Sequence, residues 1–307
     1  ILTSILASRV STLADPWLRD EQCGFRKKRS TLHQILPLRR LQEEAIRASK
    51  PLCAVFVDFK KAFDSPPREA IWECLRHIGV PQDAIAVAMA IHRDPKGNVL
   101  GGDEDSAFDV LRGVRQGCTL GPVLFNILLE FCLRAAGIVD IGIRMVTVDK
   151  AGMECPADLA GHSFTFREGG YADDLYFVAE TPEQLNRALA KLQDVCGSIG
   201  LDISPGKTEW LWLYQGDADL CRNIDNCCAQ VRLNDQIIKH CREFCYLGSI
   251  VSEGGGVSEA LGNRLESARA ALDRLESRWT DCLSRGKKIK QVHQKVFPLL
   301  LYGTETF

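Results

Sequence analysis

Tyr171-Ala172-Asp173-Asp174 sets two carboxylates side by side between short runs rich in aromatic and β-branched residues, Phe164-Thr165-Phe166 before and Leu175-Tyr176-Phe177-Val178 after. The pattern predicts the tip of a β-hairpin whose charges stand out of the sheet. Adjacent like charges repel, so the pair is costly without a positive partner. Mg²⁺ is the usual one, because it prefers carboxylate oxygen ligands. A solvated turn explains a lone Asp-Asp pair more simply. A third acid changes that balance. Leu52-Cys53-Ala54-Val55-Phe56-Val57 is an unbroken apolar run, entered after Pro51 and ending at Asp58, and reads as a buried strand with an acid at its exit. If that strand lies beside the hairpin, Asp58, Asp173 and Asp174 converge. Three carboxylates can hold two Mg²⁺ ions for in-line phosphoryl transfer.

Lys207 lies in Ser204-Pro205-Gly206-Lys207, a turn that could present its ammonium to phosphates. There it acts as a general acid or as a point charge, with a solvated surface lysine as the plain alternative. Asp64, six residues after Asp58, reads as a local hydrogen-bond acceptor at the strand exit. Cys221, Cys227, Cys228, His240, Cys241 and Cys245 show no zinc-finger spacing and read as scattered thiols.

The elements that must position these residues can be read from periodicity and punctuation. Residues 1–50 form helices around the basic turn Arg26-Lys27-Lys28-Arg29, with Ser30-Thr31 as N-cap and Pro37 as a kink or break. After Asp58, Ser65 caps a helix opened by Pro66-Pro67 and stopped by Gly79. Gly113 to Gly121 is a glycine-punctuated loop entering a helix from Pro122 to about Ala136. Thr181-Pro182-Glu183-Gln184 is a capping box, followed by the apolar stripe Leu185, Leu189, Leu192, Val195 and Ile199. Trp210 to Tyr214 is a strand. The order strand, helices, hairpin, helix, strand predicts an α+β chain with a split β–α–β, ferredoxin-like sheet that brings Asp58 to the hairpin. Further hairpins are expected around Asn234-Asp235 and from Phe244 to Val251, and helix from Ser258.

Composition bounds the function. With 46% hydrophobic residues in 307, the chain can build one large or two ordinary domains. No apolar run reaches the length of a membrane span. Thirteen cysteines, an odd number at irregular spacing, fit a reducing intracellular compartment, nuclear or cytoplasmic. The net charge is only −2, but its distribution is uneven. Arg19 to Lys50 and Arg264 to Lys295 each carry nine Lys/Arg against four Asp/Glu, leaving the rest of the chain at −12. Two basic flanks around an acidic centre suit a duplex gripped on either side of a metal site, although either flank alone would suit a solvated helix surface. The first residue is not Met and lies within a helical pattern, so a fragment of a longer protein is expected.

The ordered segments Gln22-Cys23-Gly24-Phe25-Arg26 through Thr31, Phe56-Val57-Asp58-Phe59-Lys60-Lys61-Ala62-Phe63-Asp64, Gly113-Val114-Arg115-Gln116-Gly117-Cys118 through Asn126, Tyr171-Ala172-Asp173-Asp174, Gly200-Leu201 through Lys207-Thr208-Glu209, and Tyr246-Leu247-Gly248-Ser249 resemble the reverse transcriptases of non-LTR (LINE-type) retrotransposons. The resemblance implies a right-hand polymerase fold: a ferredoxin-like palm with partial fingers and a partial helical thumb. It implies fingers over 1–50, palm over 51–79, a fingers/palm insertion over 80–112, palm with the hairpin over 113–215, primer-grip hairpins over 216–256 and a truncated thumb over 257–307. Asp58, Asp173 and Asp174 would be the catalytic metal ligands, for two Mg²⁺ with Mn²⁺ as a substitute, and Lys207 a further catalytic group. Phe59, Phe63, Gln116, Gly117 and Lys207 would meet the nucleotide, with Phe63 packing against its sugar. Arg26, Arg29, Arg115, Tyr171, Leu247 and Gly248 would meet template or primer. The expected partners are an RNA template, a DNA primer and dNTPs, with an endonuclease and other polyprotein domains outside this chain. An RNA-dependent RNA polymerase shares the same chemistry, and a non-catalytic RNA-binding descendant shares the fold.

Overall fold

Leu52–Val57 is strand β1, and all six of its residues are buried. The computed structural model describes residues 1–93, 96–98, 107–110, 112–115, 117–145, 164–214, 230–253, 255–256, 258–280 and 283–306. Helices α1 (Leu2–Ala14) and α2 (Leu32–Ala48) precede β1. Then come α3 (Arg68–His77), α4 (Gln82–Ile91), the ribbon β2 (Lys96–Asn98) and β3 (Ala107–Asp109), α5 (Gly121–Ala136), and the ribbon β4 (Ile143–Met145) and β5 (Phe164–Phe166). The chain continues through β6 (Glu168–Tyr171), β7 (Asp174–Ala179), α6 (Pro182–Ser198) and β8 (Glu209–Tyr214). Short strands β9 (Arg232–Leu233), β10 (Gln236–Ile237), β11 (Lys239–His240), β12 (Glu243–Tyr246) and β13 (Ser249–Ser252) lead to α7 (Ser258–Glu276), α8 (Arg285–Lys295) and α9 (Phe297–Leu301).

The main sheet has the order β11-β8-β1-β7-β6. β1 pairs antiparallel with β7 and with β8, β6 antiparallel with β7, and β11 parallel with β8. β1 and β6 therefore run parallel with β7 between them, while α3 to α5 connect them: a split β–α–β arrangement. Alternation along the strands explains the layers. Cys53, Val55, Val57, Leu175, Phe177, Trp210 and Trp212 face α5 and α6 on one side. Ala54, Phe56, Tyr176, Val178, Leu211 and Leu213 face α2 and the β12–β13 hairpin on the other. A third cluster joins α1, α3, α4 and α5, and a small fourth one joins α7 to α8. Among the described residues no helix is long and apolar enough to cross a membrane.

Several local expectations change. Phe164–Phe166 pairs with Ile143–Met145, and the strand that completes the Asp173-Asp174 hairpin is Glu168–Tyr171. Its Glu-Gly-Gly sequence hides a strand because close packing demands the glycines: a Cβ on Gly169 would come within 2.5 Å of the Tyr176 ring, and one on Gly170 within 2.7 Å of Leu175. Pro37 lies inside α2 without dividing it. Buried Gln34, Ile35, Leu38 and Leu41 hold the helix on both sides of the proline, and that packing outweighs the lost hydrogen bond. Neither expected hydroxyl cap forms. Ser65 donates to the Lys60 carbonyl (2.8 Å) and Thr31 bonds the Tyr302 hydroxyl (2.6 Å), each drawn to a nearer partner.

The capping box at Thr181 does form: Gln184 N–H donates to Thr181 Oγ1 and the Gln184 side chain accepts from Thr181 N–H. Because α6 covers the sheet with five fully buried residues, Leu185, Ala188, Leu189, Leu192 and Cys196, the cap supports the core directly. Thr181→Ala is expected to cost about 1 kcal/mol in a denaturant melt, and Thr181→Ser to cost little. Equal losses from both would show that the hydroxyl is not what caps α6.

Candidate active site

β1 delivers Asp58 to the end of the sheet where its two neighbours begin. Val57 pairs with Leu175 and Phe56 with Glu209, so the next position along β1 comes up between Asp174 on β7 and the turn that feeds β8. Backbone bonds fasten that turn to the strand exit. Ser204 N–H donates to the Asp58 carbonyl (2.7 Å), Lys60 N–H to the Asp202 carbonyl (2.8 Å), and Asp58 N–H to the buried Thr208 Oγ1 (3.2 Å). Lys207 projects from this turn, exposed, with its ammonium 3.8 Å from Asp58 Oδ1.

The hairpin turns on two residues, Ala172 and Asp173, with Tyr171 paired to Asp174. Ala172 has φ +60, a left-handed conformation that a residue with a Cβ adopts at a cost. Surrounding bonds hold it there. Gln22 accepts from Ala172 N–H (2.8 Å) and donates to the Ala172 carbonyl (3.1 Å). On the other flank, the Tyr246 hydroxyl donates to the Asp174 carbonyl (3.1 Å).

The charges stand close enough to act on one another. Packing raises the pKa of Asp174 to about 6, with further upward pushes from the charges of Asp173 and Asp58, although the residue keeps an exposed face. Asp173 is likewise raised, by desolvation first and by Asp58 after it. Asp58 Oδ1 is buried and receives no hydrogen bond from the described residues. That oxygen, with the Lys207 ammonium 3.8 Å away, stands beside two acids whose pKa is raised, a donor set that a divalent cation satisfies. Among the described residues no three His, Cys, Asp or Glu side chains stand at the spacing of a formed metal site.

The other expected site residues divide. Phe63 is half-buried and packs on Phe125 with centroids 4.8 Å apart, while its carbonyl accepts from Val114 N–H (2.8 Å). Gly113 has φ +78 and lies so close that a Cβ would sit 2.6 Å from the Phe63 oxygen, which fixes the loop against Phe63-Asp64. Gly117 is exposed at φ +79, and Gln116 lies outside the described residues. Phe59 is not available as a side chain: at 4% exposure it belongs to the core beneath the sheet, where its apolar ring is better placed than in a polar cleft. Arg26 is also corrected. Its guanidinium turns inward to Asp15 Oδ1 (2.7 Å) and to the carbonyls of Asp15, Arg19 and Gln22, so its donors organise the loop instead of reaching outward. Arg29 pairs with the exposed Asp20, and Arg115 is exposed with one contact to the Ile91 carbonyl (3.5 Å). Tyr171 is half-buried with its ring 6.2 Å from exposed Phe25. Leu247 (φ +47) and Gly248 (φ +75) form the tip of the β12–β13 hairpin. The Leu247 carbonyl accepts from the Tyr302 hydroxyl (2.9 Å).

Sequence reasoning missed Thr208, Gln22 and Tyr246 as individual contributors to the site. All three lie within the ordered motifs, which was the available signal, but none is a residue type that announces chemistry.

Residues 1–251 match the family model described as reverse transcriptase (RNA-dependent DNA polymerase). The chain is 26% identical to the Pol polyprotein of the type-1 retrotransposable element R2 of Nasonia vitripennis, over 70% of this chain and 20% of that one. It is 21% identical to the RNA-directed DNA polymerase of the mobile element jockey of Drosophila melanogaster, over 100% of this chain and 31% of that one. A Candida albicans telomerase structure with a fragment of telomeric RNA aligns at a TM-score of 0.48 and 13% identity, over 99% of this chain and 46% of that one. The chain thus spans under a third of the length of these two retroelement relatives. With the family model covering most of its length and with R2 and jockey among its relatives, the chain belongs to the reverse transcriptase family, on the non-LTR side that its motif order resembles.

Proposed function

We propose that this chain is an RNA-directed DNA polymerase core that extends a primer 3′-hydroxyl with dNTPs on an RNA template. The observation that carries the reading is the convergence of Asp58, Asp173 and Asp174 at the shared end of β1 and β7, with Lys207 beside them. Asp58, Asp173 and Asp174 would hold two Mg²⁺ ions, whose charge would supply activation of the attacking hydroxyl and stabilisation of the leaving pyrophosphate. The chain's own residues do the rest. Asp58, Asp173 and Asp174 hold the charge in place, and Lys207, on its stapled turn, meets the triphosphate as a point charge or proton donor. In this reading 51–79 and 113–215 form the palm, 1–50 and 80–112 the fingers and their insertion, 216–256 the primer grip and 257–307 the start of a thumb. Half-buried Arg29 and exposed Arg115 face template or primer phosphates, Tyr171 and the Leu247-Gly248 turn face the primer end, and Gly117 lets backbone approach the new base pair. Any endonuclease belongs to chain outside these residues.

An RNA polymerase would need room or a hydrogen-bonding group for the 2′-hydroxyl. Phe63 offers neither, and Phe125 behind it keeps the ring from retreating. A non-catalytic RNA-binding module would have no reason to keep three acids at a mutual electrostatic cost.

Asp58→Asn, Asp173→Asn and Asp174→Asn keep shape and remove charge, so each should lower primer extension with Mg²⁺ by roughly a hundredfold or more while folding persists. Extension near the wild-type rate by any of them would remove that residue from the site.

A second expectation follows from the raised Asp174. A carboxyl whose pKa is elevated in the fold favours folding when protonated, and that contribution fades as pH rises from near its ordinary 3.8 through about 6. A bound cation reverses the penalty, so Mg²⁺ should raise the melting temperature more at about pH 7.5 than at about pH 5. The Asp174→Asn protein should lose most of that difference. A pH-independent Mg²⁺ shift would mean that the ion binds elsewhere.

Phe63→Val should open the sugar pocket and raise the ratio of kcat/KM for rGTP over dGTP by roughly tenfold or more. An unchanged ratio in a folded, active variant would return Phe63 to the core.

A further inference from the structure

The segment just before Arg26 bonds the hairpin that carries Asp173 and Asp174 through Gln22 and through the backbone of Glu21 and Cys23. Gln22 is 5% exposed, although a glutamine amide is costly to bury unless every donor and acceptor is engaged. Its engagement is specific. Oε1 accepts from both Ala172 N–H (2.8 Å) and Gly24 N–H (2.8 Å), and Nε2 donates to the Ala172 carbonyl (3.1 Å). A residue whose own N–H and C=O, in the two peptide units that flank its Cα, are both bonded by one side chain has little freedom to change φ or ψ. That residue is Ala172, immediately before Asp173, in the left-handed conformation of the turn.

The brace is itself anchored. Cys23 N–H donates to the Gly170 carbonyl (2.8 Å) and Gly170 N–H to the Glu21 carbonyl (3.0 Å), adding the segment to the edge of β6. Gly24 packs so tightly that any Cβ would overlap the Ala172 nitrogen. The Gly24 carbonyl accepts from Asn126 Nδ2 on α5 (2.7 Å), and the Gln22 carbonyl accepts from Arg26 (2.8 Å). A continuous path of hydrogen bonds therefore runs from α5 through Gly24 and Gln22 to the hairpin tip.

We infer that Gln22 is a positioning residue of the catalytic site, which fixes the backbone on both sides of the Ala172 Cα and through it the direction of the Asp173 carboxylate. The inference rests on the polymerase reading and adds to it a residue that touches neither metal nor substrate. Its signature is a loss of rate and of cation affinity that is separable from stability and from nucleic-acid binding.

The test uses the whole chain, with Mn²⁺ binding followed by electron paramagnetic resonance and single-turnover primer extension measured on the same preparations. Gln22→Met keeps volume and removes all three bonds. It should slow extension at saturating dNTP by about tenfold to a hundredfold and weaken Mn²⁺ binding several-fold, with primer–template Kd changed by less than about twofold. Adding Ala172→Gly relieves the cost of the left-handed turn, so the double variant should recover melting temperature without recovering rate or Mn²⁺ affinity. Should Gln22→Met fail to fold, Gln22→Asn reads the same quantities, because it withdraws the amide from Ala172 by one methylene without adding charge. Wild-type rate and Mn²⁺ affinity in the single variant would overturn the inference. So would full recovery of both in the double variant, which would make Gln22 a stabiliser only. If the unsubstituted chain neither binds Mn²⁺ nor extends a primer, the polymerase reading itself falls and takes the inference with it.

Discussion

Holding three carboxylates at one end of a sheet is the constraint on which the rest of this structure depends. Their mutual repulsion and partial desolvation push Asp173 and Asp174 toward the protonated form. Left on flexible loops, the acids would separate and relieve the strain. They are instead fixed through backbone: Asp58 by Ser204 and Thr208, Ala172 by Gln22, and Asp174 by Tyr246. Backbone fixation leaves Asp58 Oδ1 without a hydrogen bond from the described residues, with the Lys207 ammonium 3.8 Å away.

This backbone frame is rigid because the sheet is covered on both faces. α5 and α6 fill one side, and α2 with the β12–β13 hairpin fills the other. Phe56 lies at the centre of an aromatic group, with Phe244 stacked at 4.0 Å and Tyr246 at 5.4 Å, and Tyr176 meets Tyr246 edge-on at 5.1 Å. The same Tyr246 that packs in this group bonds the Asp174 carbonyl, so core packing and site geometry share a residue. Buried charge serves a similar end. Arg19 bridges Glu130 on α5 and Glu168 on β6, both nearly fully buried, and so ties the start of the hairpin to the helix behind it. A buried pair of this kind contributes more to specifying one arrangement than to net stability.

Specificity in the proposed reaction depends on which side chains are free and which are committed. Phe63 is held in place by Phe125 and by the Gly113-Val114 loop. Arg26 is committed to Asp15 and to three carbonyls, whereas Arg115 is exposed with a single long contact. Two arginines that look equivalent in a basic sequence thus have different work, one shaping the loop and the other facing outward.

Local signals carried much of this in the sequence. The six-residue apolar run fixes β1 as a strand that must be covered on both faces, and its acidic exit names Asp58. Thr181 with Gln184 fixes the start of α6, and Asn234-Asp235 and Leu247-Gly248 mark hairpin turns, because capping and turn chemistry act over a few residues. The order of these elements implied that Asp58 and the Asp173-Asp174 hairpin would meet. What only the tertiary structure decided was how they are held. Gln22 and Ala172 are 150 residues apart, as are Asp58 and Thr208, and no periodicity links them. Phe164–Phe166 reads as the strand before the hairpin tip, yet Glu168–Tyr171 takes that place once Tyr176 and Leu175 pack against its glycines, and Arg26 reads as a free charge until Asp15 and three carbonyls surround it. Propensity and pattern describe what a segment can become alone; the bonds that hold the hairpin tip exist only once distant segments share a register.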